Sequence, residues 1–117
     1  MVMFHWLARR RAADVIVRRV LSDQERAQLR RNGFFEVRSG LVPGRTYRIP
    51  RRGSPVASLE PDGRVVYLCL QPATPVAEQE LVVVHKLLLE GAEADYWRRA
   101  NRVGRAMGRG FGRRLLG

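Results

Sequence analysis

Residues 56–70, VASLEPDGRVVYLCL, decide the fold of this chain. Two apolar runs flank the triplet PDG at positions 61–63, whose residue types favour a tight turn because aspartate and glycine tolerate the backbone angles of turns. A turn of this kind between two apolar runs is typical of a β-hairpin. The sequence therefore predicts antiparallel strands over residues 56–60 and 64–70.

Two more strands are predicted on the N-terminal side of the hairpin. Residues 34–38 alternate between apolar and polar side chains, as do residues 45–49, and a Pro-Gly turn separates the two runs. Alternation puts Tyr47 and Arg48 on opposite faces of the second of these strands. The expected sheet is antiparallel and has three to four strands.

Helices are predicted before and after this sheet. Ser22 and Glu25 form a capping box, and Gly33 suits the left-handed residue that ends such a helix. Thr74, which precedes a proline, predicts the start of a second helix, and residues 92–102 predict another helical stretch. The expected fold class is α+β, with a helix, an antiparallel sheet and a helix in that order, and with helices covering one face of the sheet.

The excess charge lies at the two ends of the chain. The 117 residues carry a net charge of +11, divided as +4 in residues 1–20, zero in residues 21–97 and +7 in residues 98–117. We therefore expect a basic N-terminal arm, as a helix or a short strand, a neutral α+β core domain and an arginine/glycine-rich C-terminal arm. This asymmetry indicates an anionic partner, first nucleic acid and then an acidic protein or a membrane surface.

Arginines of the C-terminal arm and of residues 45–52 are the candidate nucleic-acid contacts. Guanidinium groups bind phosphates, and an exposed or half-exposed Tyr47 would stack on a base. The alternative for residues 45–52 is an edge strand whose arginines are solvated and deter edge pairing. The candidate residues are Arg98, Arg99, Arg102, Arg105, Arg109, Arg113, Arg114, Arg45, Arg48, Arg51, Arg52 and Tyr47.

The C-terminal arm repeats one pattern three times over residues 102–113, RVGR-AMGR-GFGR. On a helix its apolar residues, glycines and arginines would form separate stripes, and spaced glycines let another backbone approach closely. Each glycine costs about 0.8–1 kcal/mol relative to alanine in a helix, so the arm is expected to fold only against a partner. The predicted protein contacts are Val103, Gly104, Met107, Gly108, Phe111 and Gly112.

A series of short motifs runs through the core: Leu21-Ser22, Gly33-x-Phe35-x-Val37, Tyr47-Arg48-Ile49, Asp62-Gly63-Arg64-Val65, Leu68-Cys69-x-x-Pro72, Lys86-Leu87-x-Leu89-Glu90 and Ala100-Asn101. Over residues 21–101, without either arm, the series resembles a group of small proteins of high-GC bacteria and their phages. The resemblance implies that Tyr47, Cys69 and Lys86 are family positions. It implies no activity, cofactor or catalytic residue.

No motif of the sequence indicates an enzyme. Cys69 could pair with His85 or His5 as thiol and imidazole, but the apolar run around Cys69 favours a buried, structural thiol. Lys86 and Glu90, four residues apart, predict a salt bridge on a helix.

The remaining acidic residues also favour structural interpretations. Glu90, Glu93 and Asp95 follow helical and loop spacing, which indicates a solvated face and not a catalytic pair. The element order is similar in outline to the double-stranded-RNA-binding domain. Glu78 and Glu80, however, stand where that domain carries lysines, which disfavours this assignment. One cysteine and two histidines are too few for a zinc site, so no metal and no cofactor are expected.

These patterns predict a non-enzymatic, basic-armed assembly protein whose arginine-rich termini bind nucleic acid non-specifically within a larger complex. The alternative is a structural component of a phage virion or another multi-subunit particle, with the arms docking on neighbouring subunits. A weaker alternative is a membrane-surface protein that uses residues 1–7 and the arginines after them. No apolar run approaches the roughly 20 residues that span a membrane. The expected location is therefore the cytoplasm or a particle assembled there.

Overall fold

The computed structural model describes residues 12, 15–74 and 76–104. Its elements in chain order are α1 (Asp23–Asn32), β1 (Phe34–Arg38), β2 (Thr46–Pro50), β3 (Val56–Leu59), β4 (Val65–Cys69), α2 (Glu78–Gly91), α3 (Glu93–Arg99) and β5 (Asn101–Val103). Residues 15–20 are also helical. Of the helix and the short strand that were considered for the N-terminal arm, the helix is therefore correct for these residues. The fold class is α+β, as predicted.

The described strands form one antiparallel sheet in the order β1-β2-β3-β4-β5, in which each strand pairs with the next along the chain. The predicted central hairpin is confirmed, because Leu59 of β3 pairs with Val65 of β4. Gly63 adopts φ +91° in the turn between them, and the N–H of Glu60 donates to the carbonyl of Arg64 at 2.8 Å. Within the described residues the sheet has five strands, whereas three to four were predicted.

β5 is the strand that the sequence did not predict. The helical stretch expected over residues 92–102 ends at Arg99, and an extended Ala100 (φ −74°, ψ 144°) leads into β5. Val103 then pairs with Tyr67 of β4. A strand of three residues is too short to show an alternating pattern, so only pairing with β4 reveals it. The first residues of the predicted C-terminal arm therefore belong to the sheet.

α1 begins and ends as the sequence predicts. The Ser22 hydroxyl accepts from the N–H of Glu25 (3.1 Å), and the Glu25 carboxylate accepts from the N–H of Ser22 (2.9 Å). Gly33 ends the helix with φ +80°, and its N–H donates to the carbonyl of Leu29 at 3.0 Å. Both ends of the helix are thus set by local hydrogen bonds.

α2 begins later than the sequence predicts. Its first residue is Glu78, and the preceding Ala77 is extended (φ −68°, ψ 153°) and has no side-chain cap, so the predicted start at Thr74 is wrong. The carbonyl of Ala77 accepts from the N–H of Leu81 (3.0 Å). Glu78 and Glu80 then lie in the first turn, where the helix dipole favours carboxylates.

One face of the sheet forms the core together with the helices. The inward-facing apolar strand residues that are 5% exposed or less are Phe35, Val37, Tyr47, Ile49, Val56 and Leu68. Val82 and Leu89 of α2 and Tyr96 of α3 pack in the same cluster. The helices therefore cover a single face, and the opposite face carries the alternate residue of each strand.

Gly53 and Gly33 give a matched test of the packing of α2 against the loop after β2. Both have a left-handed backbone, with φ +81° and +80°. A methyl group on Gly33 would meet nothing within 4 Å, whereas on Gly53 it would lie 2.9 Å from Cβ of Leu81. We expect Gly33→Ala to lower the free energy of unfolding by about 1–2 kcal/mol.

Gly53→Ala should cost about 1–3 kcal/mol more than Gly33→Ala, because α2 must also shift. Urea denaturation of both variants measures this difference. Equal losses in the two variants would contradict the close approach of Leu81.

Candidate nucleic-acid interface

The outer face of the sheet is the side that the described helices leave open. Its residues include Phe34, Glu36, Arg38, Arg48, Ala57, Leu59, Val65, Tyr67 and Val103. Val65 is 42% exposed, and the Arg48 side chain is 44% exposed. Arginines, aromatic rings and small apolar side chains share this face, and such a combination is chemically suited to phosphates and bases.

Tyr47 does not contribute to the outer face. The side chain is fully buried on the helix side of β2, so the predicted stacking of Tyr47 on a base is wrong. Its hydroxyl donates to the Glu93 carboxylate and accepts from Nε1 of Trp97 at 2.8 Å. Burial, together with the hydrogen bond to Glu93, raises the pKa of Tyr47.

Arg45 is also occupied inside the fold. Its Nε and Nη2 donate to the Glu60 carboxylate at 2.8–3.1 Å, and its guanidinium lies 4.6 Å from the centroid of the Trp97 ring. Burial opposes ionisation of Glu60, but hydrogen bonds from Arg45 and Ser58 outweigh it and hold the pKa of that carboxyl below its usual range. Arg45 is therefore an internal ion-pair partner and not an accessible phosphate contact.

The other arginines of residues 45–52 stay accessible. Arg48 contacts Glu36 through Nε at 2.9 Å and lies 4.7 Å above the Phe34 ring. Arg51 is exposed and donates through Nη2 to the carbonyl of Leu29 at 2.7 Å, near the end of α1. Arg52 is exposed and forms no ion pair within the described ranges. Of these four predicted contacts, three remain open to solvent.

The first arginines of the C-terminal arm lie at the end of α3 and in β5. Arg98 and Arg99 both contact Asp95, at 2.9 and 2.6 Å, and their side chains are 73% and 68% exposed. Hydrogen bonds from Arg99 and Arg98 lower the pKa of Asp95. Arg102 lies 5.7 Å from the centroid of the Trp97 ring. Two of these three arginines therefore share the Asp95 carboxylate, and Arg102 lies near the Trp97 ring.

Several predicted contacts lie outside the described residues. They are the nucleic-acid candidates Arg105, Arg109, Arg113 and Arg114 and the protein-contact candidates Met107, Gly108, Phe111 and Gly112. Residues 1–7, the suggested membrane-surface segment, lie outside them as well. Of the predicted protein contacts, Val103 ends β5 and Gly104 follows it.

Glu93 and Tyr67 are positions whose role the sequence interpretation missed. Glu93 was expected on a solvated face, but it is buried and accepts from the N–H groups of Gly40 (3.0 Å) and Leu41 (3.2 Å). Glu93 and Asp95 lie in the same helical turn and are both acidic, so the sequence pattern did not show that only Glu93 is buried.

Tyr67 falls in an apolar run without alternation, so only the register of β4 assigns it to the outer face.

Cys69 and His85 form hydrogen bonds with different residues and not with each other. The Cys69 thiol is buried and lies 2.8 Å from the Ser54 hydroxyl, as the structural interpretation predicts. Nδ1 of His85 instead lies 2.9 Å from the hydroxyl of Tyr96. No cluster of three or more potential metal ligands occurs over residues 15–74 and 76–104.

Lys86 has a larger role than the predicted helix-surface pair. Its ammonium contacts Glu90 at 2.6 Å, which confirms that prediction, and it also contacts Glu25 at 3.2 Å. Glu25 is the carboxylate of the α1 capping box. Lys86 therefore joins α2 to the beginning of α1.

Comparisons of this chain with models of protein families, with curated proteins and with solved structures found no match. Within the part of the chain that the structure describes, no helix combines the length and the apolar character needed to cross a membrane.

Proposed function

We propose that this chain is a non-enzymatic assembly protein whose arginine-rich termini bind nucleic acid non-specifically within a larger complex, in the cytoplasm or in a particle assembled there. The observation that carries the proposal is the charge distribution: residues 21–97 are neutral, whereas residues 98–117 carry +7 and residues 1–20 carry +4. Guanidinium groups near phosphates bind a polyanion without reading its bases.

The ion pairs of the core support this division of roles. Arg64 contacts Asp62 at 2.7 Å, so this guanidinium group has a carboxylate beside it. Arg45 likewise has Glu60. In the described part of the C-terminal arm, Arg98 and Arg99 share one carboxylate, that of Asp95. One carboxylate neutralises only part of their charge, so these arginines can still attract an anion.

A second candidate is a structural component of a virion or another multi-subunit particle, in which the arms dock on neighbouring subunits. The observation that favours it is β5, the last strand of the described sheet. Val103, a predicted protein contact, is half-exposed there, on the same face as the exposed Val65. The two candidates are compatible, because the lining of a particle also contacts packaged nucleic acid.

Replacing Arg105, Arg109 and Arg113 together with alanine should weaken binding to a short fluorescein-labelled DNA duplex. Each lost phosphate contact removes about 0.9 from the slope of log K against log salt concentration. The triple variant should therefore lose about 2–3 from that slope. Fluorescence anisotropy over a series of salt concentrations measures both the affinity and the slope.

The matched control replaces Arg30, Arg31 and Arg64, three exposed arginines of the core, and removes the same charge. We expect the control to change the slope much less than the arm variant. Unchanged duplex binding by the arm variant would contradict the proposal. If that variant instead loses an oligomeric state seen by light scattering, the second candidate is favoured.

A further inference from the structure

We propose that the outer face binds single-stranded nucleic acid, with Tyr67 stacking on a base and Arg48 contacting a phosphate. This inference rests on the proposed function. It adds the class of nucleic acid and a second contact surface, formed by the core domain and separate from the arms.

The sheet register brings the two residues into one row. Arg48 of β2 pairs with Ala57 of β3, and Ala57 pairs with Tyr67 of β4, so all three side chains project from the outer face. Arg48 and Tyr67 are two strand spacings apart, about 10 Å between backbones. Ala57, between the two long side chains, has only a methyl group and is partly exposed. A base can lie there against Tyr67 while its phosphate meets the guanidinium.

The contacts of Arg48 leave its phosphate-binding end free. The recorded hydrogen bond to Glu36 uses Nε, at 2.9 Å, and the guanidinium lies 4.7 Å above the Phe34 ring. The two terminal nitrogens donate to no described residue. Glu36 and Phe34 therefore orient the guanidinium on the outer face without occupying its outer donors. Phe34 itself provides a second aromatic ring beside it.

The charge of the surroundings favours an anionic partner. Arg38 lies on the outer face two residues after Glu36, is exposed, and forms no ion pair within the described ranges. The row ends at Val103, after which the chain continues into the arginines of the C-terminal arm. Tyr67 is half-buried. An aromatic ring on the open face of a sheet stacks on unpaired bases, whereas the bases of a duplex are already stacked on one another. The combination therefore fits a single strand.

The test compares Tyr67→Leu, which removes the ring, with Tyr67→Phe, which keeps it. Binding to a fluorescein-labelled oligothymidylate and to a duplex is measured for the full-length proteins by anisotropy. We expect Tyr67→Leu to weaken single-strand binding roughly 5- to 100-fold, the range observed for loss of one stacked base, and to leave duplex binding unchanged. Tyr67→Phe should bind the single strand like the wild type. Thermal melting of each variant verifies that it is folded.

Three outcomes would overturn the inference. They are unchanged oligothymidylate binding by a folded Tyr67→Leu variant, an equal loss for single strand and duplex, and a Tyr67→Phe variant as weak as Tyr67→Leu. A wild-type chain that binds neither nucleic acid would instead contradict the proposed function itself. An equal loss of binding to an acidic peptide would also overturn the inference, because the ring would then contact a protein partner and not specifically a base.

Discussion

Replacing Glu93 with alanine should lower the free energy of unfolding by about 3–5 kcal/mol, the cost typical of breaking a buried ion pair. The carboxylate, 5% exposed, accepts hydrogen bonds from two backbone N–H groups and two hydroxyls. The donors are Gly40, Leu41, Ser39 and Tyr47. Removal of the acceptor would leave the buried Tyr47 hydroxyl and the half-buried Ser39 hydroxyl without an acceptor, and each such group carries its own desolvation cost.

The loss should extend across the fold because Glu93 joins distant elements. It connects the loop after β1 to the first turn of α3, and the Arg45 guanidinium lies 3.9 Å away. Burial opposes its ionisation, but hydrogen bonds from Ser39, Tyr47 and the backbone outweigh burial and lower the pKa of Glu93. The ionised carboxylate thus stabilises the fold above its usual pKa, and that contribution is lost as the pH falls through the lowered value.

Urea denaturation at neutral pH measures this cost, with Glu90→Ala as the matched control. Glu90 is three residues away on α2, but its side chain is 44% exposed and pairs with Lys86. Lys86 is buried but keeps Glu25, 3.2 Å away, when Glu90 is removed. The control should therefore lose only about 1–2 kcal/mol, less than Glu93→Ala. Similar losses in the two variants would contradict the role of Glu93 as a buried acceptor.

Acidification should remove about 3 kcal/mol of stability through His85 alone. Burial lowers the pKa of this imidazole from 6.5 to about 4. Between these values the unfolded chain binds a proton that the folded chain does not. Unfolding therefore becomes more favourable as the pH falls below 6.5, and the loss is complete near pH 4.

The surroundings of His85 explain why its charged form is disfavoured. The ring is fully buried in α2 and packs edge-on against Tyr96, with centroids 5.6 Å apart. Its Nδ1 shares one hydrogen bond with the Tyr96 hydroxyl, whose own pKa is raised by burial. No ion pair or hydrogen bond among the described residues joins it to a carboxylate. The contact with the Gly53 backbone favours the imidazolium, but burial outweighs it.

The comparison of wild type with His85→Leu isolates this effect from other titrating groups. The carboxyls with lowered pKa, such as Glu93 and Glu60, lose their contribution only below their usual value of 4.5. Free energies of unfolding measured from pH 7 to 4.5 should fall for the wild type and stay nearly flat for the variant. The variant starts lower because the Tyr96 hydroxyl loses its partner. Parallel curves would contradict the burial of His85.

The elements that the sequence predicted correctly are those set by local chemistry. The Asp-Gly turn at residues 62–63 and the capping box of Ser22 and Glu25 depend on neighbours a few residues apart, and both are present. β5 exists only because β4 offers it an edge, and no pattern within three residues could reveal it.

The candidate site was less predictable because its residues are brought together by contacts between distant parts of the chain. Alternation separated Tyr47 from Arg48 but did not decide which face of β2 the helices would cover. The burial of Glu93 depends on a loop more than fifty residues earlier, as its contact with Gly40 shows. Tyr67 became a candidate only through its register with Ala57. The distribution of charge along the chain, in contrast, follows from the sequence alone.

The salt dependence of nucleic-acid binding by the full-length chain shows whether the arm arginines contact phosphates. If the seven arginines of residues 98–117 contact phosphates, log K for a duplex should fall with log salt concentration with a slope of up to about 6. Replacement of Arg105, Arg109 and Arg113 should make that slope shallower by about 2–3. An affinity that does not change with salt, or a slope that is the same in the wild type and the arm variant, would contradict the account.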